Sequence, residues 1–440
     1  IPLVNWLIIP ALMRLPVTSV YEYFEKRYHL SVRCVGAAVF VLMRLTWVGL
    51  IIYTASFAVT KMTGWSTPTV ILVVGIITTF YTTAGGMQAV IWSDFVQGML
   101  LVGGAMLVPL YVALQTHSGP AAWWEVFSQA GRGQVPVFSW DLTVRISVVG
   151  IIIELFFWHA CTHSADQVAV QRYLSTPSVA SARRSVWVSA GFTVVLLLLL
   201  LMVVGLSLFY LYFQRSDLPI QEFQRGIAKK ADAVLPTFIA IELPAGLSGL
   251  LLAALLAAAM SSLSSGINSI SSVVMTDFLG RFKGFEKGRG NLVPAMVTAG
   301  LAGGAGIGLA LAIHELMQAK QQRNLVELME RVNHLFLAPL GPLFLAGILF
   351  RHVGTVAALL GFLAGLLTSI LVSFSKELFG LENGISFMWI IPFSFLASMF
   401  VAWLAGLFFA RPSTAQLVWL ERKPDSSTEQ DRRPQQRADR

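Results

Sequence analysis

Apolar runs of about 17 to 30 residues return along nearly the whole chain, at roughly 34–60, 67–83, 94–116, 147–164, 185–213, 246–276, 293–313, 335–350, 353–374 and 386–409. About 20 apolar residues in helical form cross a hydrocarbon core of ~30 Å. The short alternating segments of a membrane barrel are missing, so every backbone polar group must be satisfied within a helix. The predicted fold class is therefore all-α, a polytopic membrane protein with about ten full spans and one partial one. Composition excludes a soluble globule: of 440 residues, 56% are hydrophobic and 12% charged, and the mean hydropathy is +0.71.

The net charge of +8 follows the membrane rather than a nucleic acid. Basic residues gather in short loops: Arg14, Lys26, Arg27 and Arg33; Arg172, Arg183 and Arg184; Arg281, Lys283, Lys287 and Arg289; then Arg351 and the tail from Arg411. If each run crosses once, all of these share one face, which the positive-inside rule makes cytoplasmic. The longer connections 117–146, 214–245 and 314–334 fall on the other face, with Lys229 and Lys230 as exceptions beside Asp232 and Glu242. Residues 411–440 are polar and rich in Pro, Gln and charge, and read as a disordered cytoplasmic tail. Cys34 and Cys161 both lie in predicted spans and build no disulfide framework.

Within this apolar background the segment Ala257–Ser272 is unusual. At about 100° per residue, Ser261, Ser262, Ser265, Ser269, Ser272 and Thr276 fall within roughly a 100° arc centred on Ala258, with Asn268 at its edge. Hydroxyls and loosened carbonyls can replace the hydration shell of a monovalent cation at membrane depth. Small polar residues also let helices approach closely. Both readings stand on this segment alone.

Two further polar stretches interrupt the spans. Tyr81–Gln97 (YTTAGGMQAVIWSDFVQ) has Gly85-Gly86 as a predicted turn, and Asp94 just inside the next span, where an ionisable side chain is costly and suggests function. The alternative is an interfacial helix cap. Trp158–Leu174 (WHACTHSADQVAVQRYL) places His159, His163, Asp166, Gln167, Gln171 and Arg172 together. That density predicts a discontinuous helix beside a small polar solute, or else a polar helix end at the headgroups. His159 and His163 are spaced to share a helix face, but HExxH is absent, and no further Cys/His cluster completes a metal site. Gly246-Leu247-Ser248-Gly249 matches a GxSG protease pattern, yet nothing in the sequence sets a base beside Ser248, and glycines after Leu243-Pro244 are ordinary helix-start punctuation.

Taken in order, TSVYEYFEKRY at Thr18–Tyr28, the Tyr81–Gln97 stretch, ADQVAVQRYLS at Ala165–Ser175 and the long Leu243–Phe278 segment resemble the sodium:solute symporter family. Helices around ISFMWIIP extend the resemblance, which covers roughly 400 residues. It implies a symporter domain over 1–410 with two inverted five-helix repeats, 1–16 being the remnant of the second core helix and the first core helix missing. It implies Na+ as the coupling ion. Ala258 (carbonyl), Ser261 and Ser262 match one sodium site; Ser261, Ser264, Ser265 and Asp94 match a second. Asp166 and Gln167 match positions at the substrate pocket, although many relatives carry Asn where Asp166 stands.

The resemblance implies sodium-coupled symport of a small polar organic solute by alternating access, in a multi-pass plasma (inner) membrane protein. Its partners are the solute and membrane lipid, with no nucleic acid and no obligate protein partner. A transporter-like solute sensor is the alternative, and an intramembrane serine protease a more remote one; otherwise the chain is no enzyme. Sugar, carboxylate, amino acid and vitamin transporters share these motifs, so they do not select the solute.

Overall fold

The structure, a computed structural model, describes residues 1–14, 17, 19–131, 135–216, 218–228, 231–281, 292–320, 325–380, 384–413 and 416–417. The expected tail beyond Leu417, Lys229-Lys230 and the basic loop at 282–291 lie outside these residues. Every regular element described is helical. A wide turn at Val4–Ile8 runs into α1 (Ile9–Arg14), followed by α2 (Val20–Arg27) and α3 (Leu30–Thr63). Next come α4 (Thr67–Thr116), α5 (Pro120–Gln129), α6 (Val148–Ala165), α7 (Gln167–Leu174), α8 (Val179–Gly191) and α9 (Leu199–Gln214). The second half holds α10 (Ile220–Ala228), α11 (Ala231–Ile241), α12 (Ala245–Val273), α13 (Leu292–Lys320), α14 (Leu325–Leu349), α15 (Thr355–Ser373), α16 (Ser375–Phe379) and α17 (Ile390–Phe408).

Local chemistry sets several boundaries. Ser19, Ser66 and Ser147 accept hydrogen bonds from the backbone N–H groups of Glu22, Thr69 and Gly150, capping α2, α4 and α6. Gly64 ends α3 in the left-handed region at φ 75°, where a side chain would be strained. Among the described residues nine helical segments are long and apolar enough to cross a membrane. The tenth expected run, 185–213, is built from α8, a wide π-type turn at Phe192–Leu198, and α9.

Contacts fix the directions of these helices. Arg33 and Val48 of α3 meet Asp277 and Gly266 at the far end and middle of the α12 segment, so the two are antiparallel. Val48 and Tyr53 face Gly306 and His314, so α3 and α13 are parallel. Gly75 and Thr79 face Ile307 and Gly303, so the first half of α4 runs against α13. In its second half, Asp94 meets Ser261 and Ser265 while Gly104 faces Ala254 and Leu251, so that half runs against α12. α12 and α13 are themselves antiparallel, because Ser271 meets Ala295 and Thr298 while Gly266 lies level with Gly306.

The two halves of α4 therefore point in opposite directions. Tyr81 donates to the Met260 carbonyl and Asp94 accepts from neighbouring Ser261. On a straight helix these two residues would lie about 20 Å apart and on different faces. Helical backbone bonding is assigned continuously from Thr67 to Thr116, so the expected Gly85-Gly86 turn is not a gap between helices. The contacts of Tyr81 and Asp94 with neighbouring residues of α12 place the change of direction between these two residues. The side chains of 85–91 lie outside the described residues.

An inverted repeat emerges from these directions. Thr54 of α3 meets Met329 near the start of α14, and Arg27, just before α3, binds the carbonyls of Gly347 and Phe350 at its end; α14 is antiparallel to α3. Thus α3 is opposed by α12, the first half of α4 by α13, and the second half by α14. α6 is parallel to α14, with Cys161 against Gly341. Beside them α15 and α17 cross closely, Gly361 and Gly365 accepting from Ser398 and Ser394 through their carbonyls.

Candidate sodium and solute sites

α12 carries the serine seam past the second half of α4. Ser261 Oγ donates to Asp94 Oδ1 at 2.6 Å and Ser265 Oγ to Asp94 Oδ2 at 3.3 Å. Ser264 is buried and turns back to the Ser261 carbonyl at 3.0 Å. Two hydroxyls and a carboxylate thus converge, and the hydroxyls need only rotate their protons away to offer lone pairs to a cation. Arg172 Nη2 stands 3.8 Å from Asp94 Oδ2, with its side chain 69% exposed. Tyr81 tethers the adjacent Met260 carbonyl at 3.0 Å.

The rest of the seam is used differently. Ser269 donates to its own Gly266 carbonyl, and Ser271 to Ala295 on α13. Ala258 is half-buried and Ser262 exposed, one turn and one residue from the Asp94 contacts. Of the six residues expected at sodium, the structure brings Ser261, Ser265 and Asp94 into contact, leaves Ser264 bonded to its own helix backbone, and sets Ala258 half-buried and Ser262 exposed on α12.

The polar stretch on α6 does contain a break. Asp166 has φ −84° and ψ 114°, ending α6 and capping α7, where its Oδ1 accepts from Val168 N at 2.9 Å. Its other oxygen is ion-paired with Arg44 of α3. Gln167 is 1% exposed and its Oε1 accepts from Val20 N at 3.1 Å, capping α2; Tyr21 holds the Ala165 carbonyl at 2.9 Å. The break is therefore fastened to both α2 and α3. From it, α7 carries Arg172 to Asp94 of α4, so one short helix joins the solute candidates to the ion carboxylate.

Arg44 is a site residue that no sequence motif marks. It is a cation inside an otherwise apolar span, and its Nε is buried without a hydrogen-bond partner. The rule that marked Asp94, an intramembrane charge needing a purpose, marks Arg44 equally. His159 and His163 stack at 5.6 Å, and His163 Nδ1 contacts the Tyr173 hydroxyl. Among the described residues no three His, Cys, Asp or Glu side chains gather as metal ligands.

At the basic end of the bundle lies an ionic cluster. Arg33 Nε binds Asp277 Oδ1 at 2.6 Å and its Nη1 binds Glu25 Oε2 at 2.6 Å, while Ser19 Oγ donates to Asp277 at 2.9 Å. Arg281 Nη2 reaches Glu25 at 2.5 Å and its Nε donates to the Asp277 carbonyl. Burial pushes the Glu25 carboxyl up, but its hydrogen bonds to Arg281 and Arg33 outweigh that and hold it below its ordinary range.

An inverted pair of helical repeats, a helix broken by a charged residue at mid-chain, and a carboxylate facing a serine-bearing helix define a multi-pass secondary transporter. Residues 1–365 match the family model described as the sodium:solute symporter family, and the chain belongs to that family. It is 28% identical over 388 residues to the sodium/sialic acid symporter NanT of Aliivibrio fischeri, covering 86% of this chain and 73% of that one. It is 28% identical over 378 residues to the sodium-coupled monocarboxylate transporter 1 of Mus musculus, 84% of this chain and 59% of the relative. A substrate-bound, outward-open state of a Na+-coupled sialic acid symporter superposes with a TM-score of 0.77 at 26% identity, over 94% of this chain and 82% of that chain. The protein is a sodium-coupled membrane transporter and not an enzyme; Na+ is its coupling ion.

Proposed function

We propose that the protein imports a small polar organic solute, an organic acid, together with sodium by alternating access. The observation that carries the ion assignment is the pairing of Asp94 with Ser261 and Ser265 across two helices of opposite repeats. Asp94, Ser261, Ser264 and Ser265 would hold one sodium, the carboxylate offsetting its charge where dehydration is expensive. Ala258, through its carbonyl, with Ser261 and Ser262 would contribute to another. Ser261 belongs to both sets, so loss of its hydroxyl should weaken both.

The solute assignment rests on the break. Asp166 and Gln167 stand where a helix end exposes backbone groups, and Arg44 beside them supplies a guanidinium that suits a carboxylate geometrically. Relatives named for sialic acid and for monocarboxylates carry acids, in keeping with such a group. Gln167, whose carbonyl oxygen serves α2, would shape the break.

Sodium drives such a cycle only by binding one state more tightly than the other. The gradient then does the work, each charge crossing 100 mV being worth roughly 2.3 kcal/mol. The end bearing Arg27, Arg33, Arg172 and Arg281 would face the cytoplasm. Uptake of radiolabelled organic acids into proteoliposomes, with and without a sodium gradient, tests this. Sodium-independent uptake, or sodium dependence unaltered by Ser261→Ala combined with Asp94→Asn, refutes the ion assignment; indifference to Arg44→Gln refutes the solute assignment.

A further inference from the structure

The ionic cluster at the basic end is joined to the helix break by one short helix, α2, whose sides are bonded in different ways. Towards the break, the Val20 N–H donates to Gln167 Oε1 and the Tyr21 hydroxyl to the Ala165 carbonyl. Towards α14, Arg27 donates to the carbonyls of Gly347 and Phe350, both at 2.9 Å, and Tyr28 to that of Leu343 at 3.0 Å. Val20, Tyr21, Tyr23, Phe24 and Tyr28 are all buried. The third side is ionic: Ser19 donates to Asp277, and Glu25 receives Arg33 and Arg281. Asp277 lies in the wide turn Val274–Phe278 that follows α12, about 18 Å beyond Ser265 at the helical rise. One helix therefore bonds the break to the segment that carries the serines.

These bonds differ in what it costs to part them. Freeing Arg27 and Tyr28 from α14, or Val20 and Tyr21 from the break, would orphan polar groups among buried side chains. The Glu25 and Arg281 side chains are 35% and 28% exposed, so water takes over their charges when they separate, and such a pair contributes little. Nor does separation strand a buried charge, because Asp277 keeps Arg33 Nε at 2.6 Å and Arg33 also keeps the Thr276 carbonyl at 3.2 Å. α2 can thus pivot about its anchor on α14 and leave α12 together with the break.

We propose that α2 is a latch at the basic end of the bundle. Shut, it ties the break to Asp277 and Arg281 through Ser19 and Glu25; released from them, it opens the way from the break to that end. This rests on the alternating-access reading above, and adds to it the element that closes one side.

The test is the alkylation rate of Val20→Cys by a membrane-impermeant maleimide in the purified full chain, with Cys34→Ser as background and labelled sites resolved by mass spectrometry. Residue 20 is fully buried while the latch is shut, so its labelling follows the open population when opening is fast. Arg281→Gln should raise the rate about 2- to 5-fold, while Cys161, buried against α14, stays unlabelled and reports that the fold is intact. Sodium should lower the rate, since an ion loaded from the opposite face needs this end shut, and Asp94→Asn should abolish that effect. A rate raised by Arg281→Gln but indifferent to sodium supports the latch and faults the ion assignment alone. Equal rates with and without Arg281→Gln overturn the latch. If Val20→Cys fails to fold, Val17→Cys, buried two residues before the cap, takes its place with the same expectations.

Discussion

Replacing Asp94 by Asn tests the ion assignment with the least disturbance, because the side chain keeps its shape while one negative charge is removed and one acceptor oxygen becomes a donor. One of Ser261 and Ser265 can still donate to the amide oxygen, and the other can turn its hydroxyl to accept from the amide N–H, so packing of α4 on α12 should survive. A cation about 4 Å from a unit charge gains ~1 kcal/mol in water and ~4 kcal/mol at an effective dielectric of about 20. The Asp94 side chain is 22% exposed, nearer the second limit than the first. We therefore expect a loss of about 2–3 kcal/mol in sodium binding, a roughly 30- to 150-fold rise in the sodium concentration that half-saturates uptake. The assay is initial uptake rate in proteoliposomes against sodium concentration at fixed membrane potential. The double variant with Ser261→Ala should fall short of additivity, since the second change removes an oxygen from a site already weakened. A sodium curve unchanged by Asp94→Asn, in protein with wild-type melting behaviour, refutes the reasoning.

Other perturbations follow from the same geometry. Arg172→Ala removes a cation 3.8 Å from Asp94; exposed pairs are worth about 0–1 kcal/mol, so the sodium half-saturation should drop by no more than ~5-fold. Gln167→Leu orphans the Val20 N–H at the start of α2, and should lower stability by about 1–3 kcal/mol, read as the unfolding midpoint. At Gly341 a methyl group would lie 2.5 Å from Cys161 Sγ and 2.6 Å from its Cα; Gly341→Ala should cost about 1–3 kcal/mol by forcing α14 off α6. Glu25, held below its ordinary range by Arg281 and Arg33, stabilises the basic end fully above the usual carboxylate range and loses that contribution as pH falls through its depressed folded value. The acid limb of the melting profile should accordingly flatten in Glu25→Gln.

Much of the architecture was legible because lipid imposes one rule on every span. The apolar runs map onto helices, and the polar density at Trp158–Leu174 marks the break at Asp166. Run length conveys nothing about wide helical turns, which is why 185–213 reads as one span and folds as α8 and α9 around Phe192–Leu198. Helical periodicity placed six hydroxyl residues on one face of α12, but periodicity does not say what that face meets. Ser261 and Ser265 meet Asp94, while Ser269 bonds its own backbone. The partnership of residues 167 positions apart was visible only through family resemblance. No sequence signal marks Arg44, because a single charge barely alters the average of a long apolar window, although its cost in the membrane is local.

The directions of the helices explain why those isolated charges matter. α3 brings Arg44 to the break, and α4, once reversed, brings Asp94 to the serines. Both belong to the first repeat, while the groups they meet, Asp166 and Ser261, belong to the second. Each polar contact thus spans the interface between repeats, where opposed helices can shift as bodies without breaking their own backbone bonds. Arg172, on the short α7 that starts at Asp166, touches the ion carboxylate, so occupancy at one candidate site bears on the other through about two helical turns. Shortening that link with Arg172→Ala while preserving Arg44 and Asp94 should therefore weaken the dependence of solute affinity on sodium, measured as the ratio of solute half-saturation at low and high sodium. A ratio identical to wild type would show that coupling travels by another route.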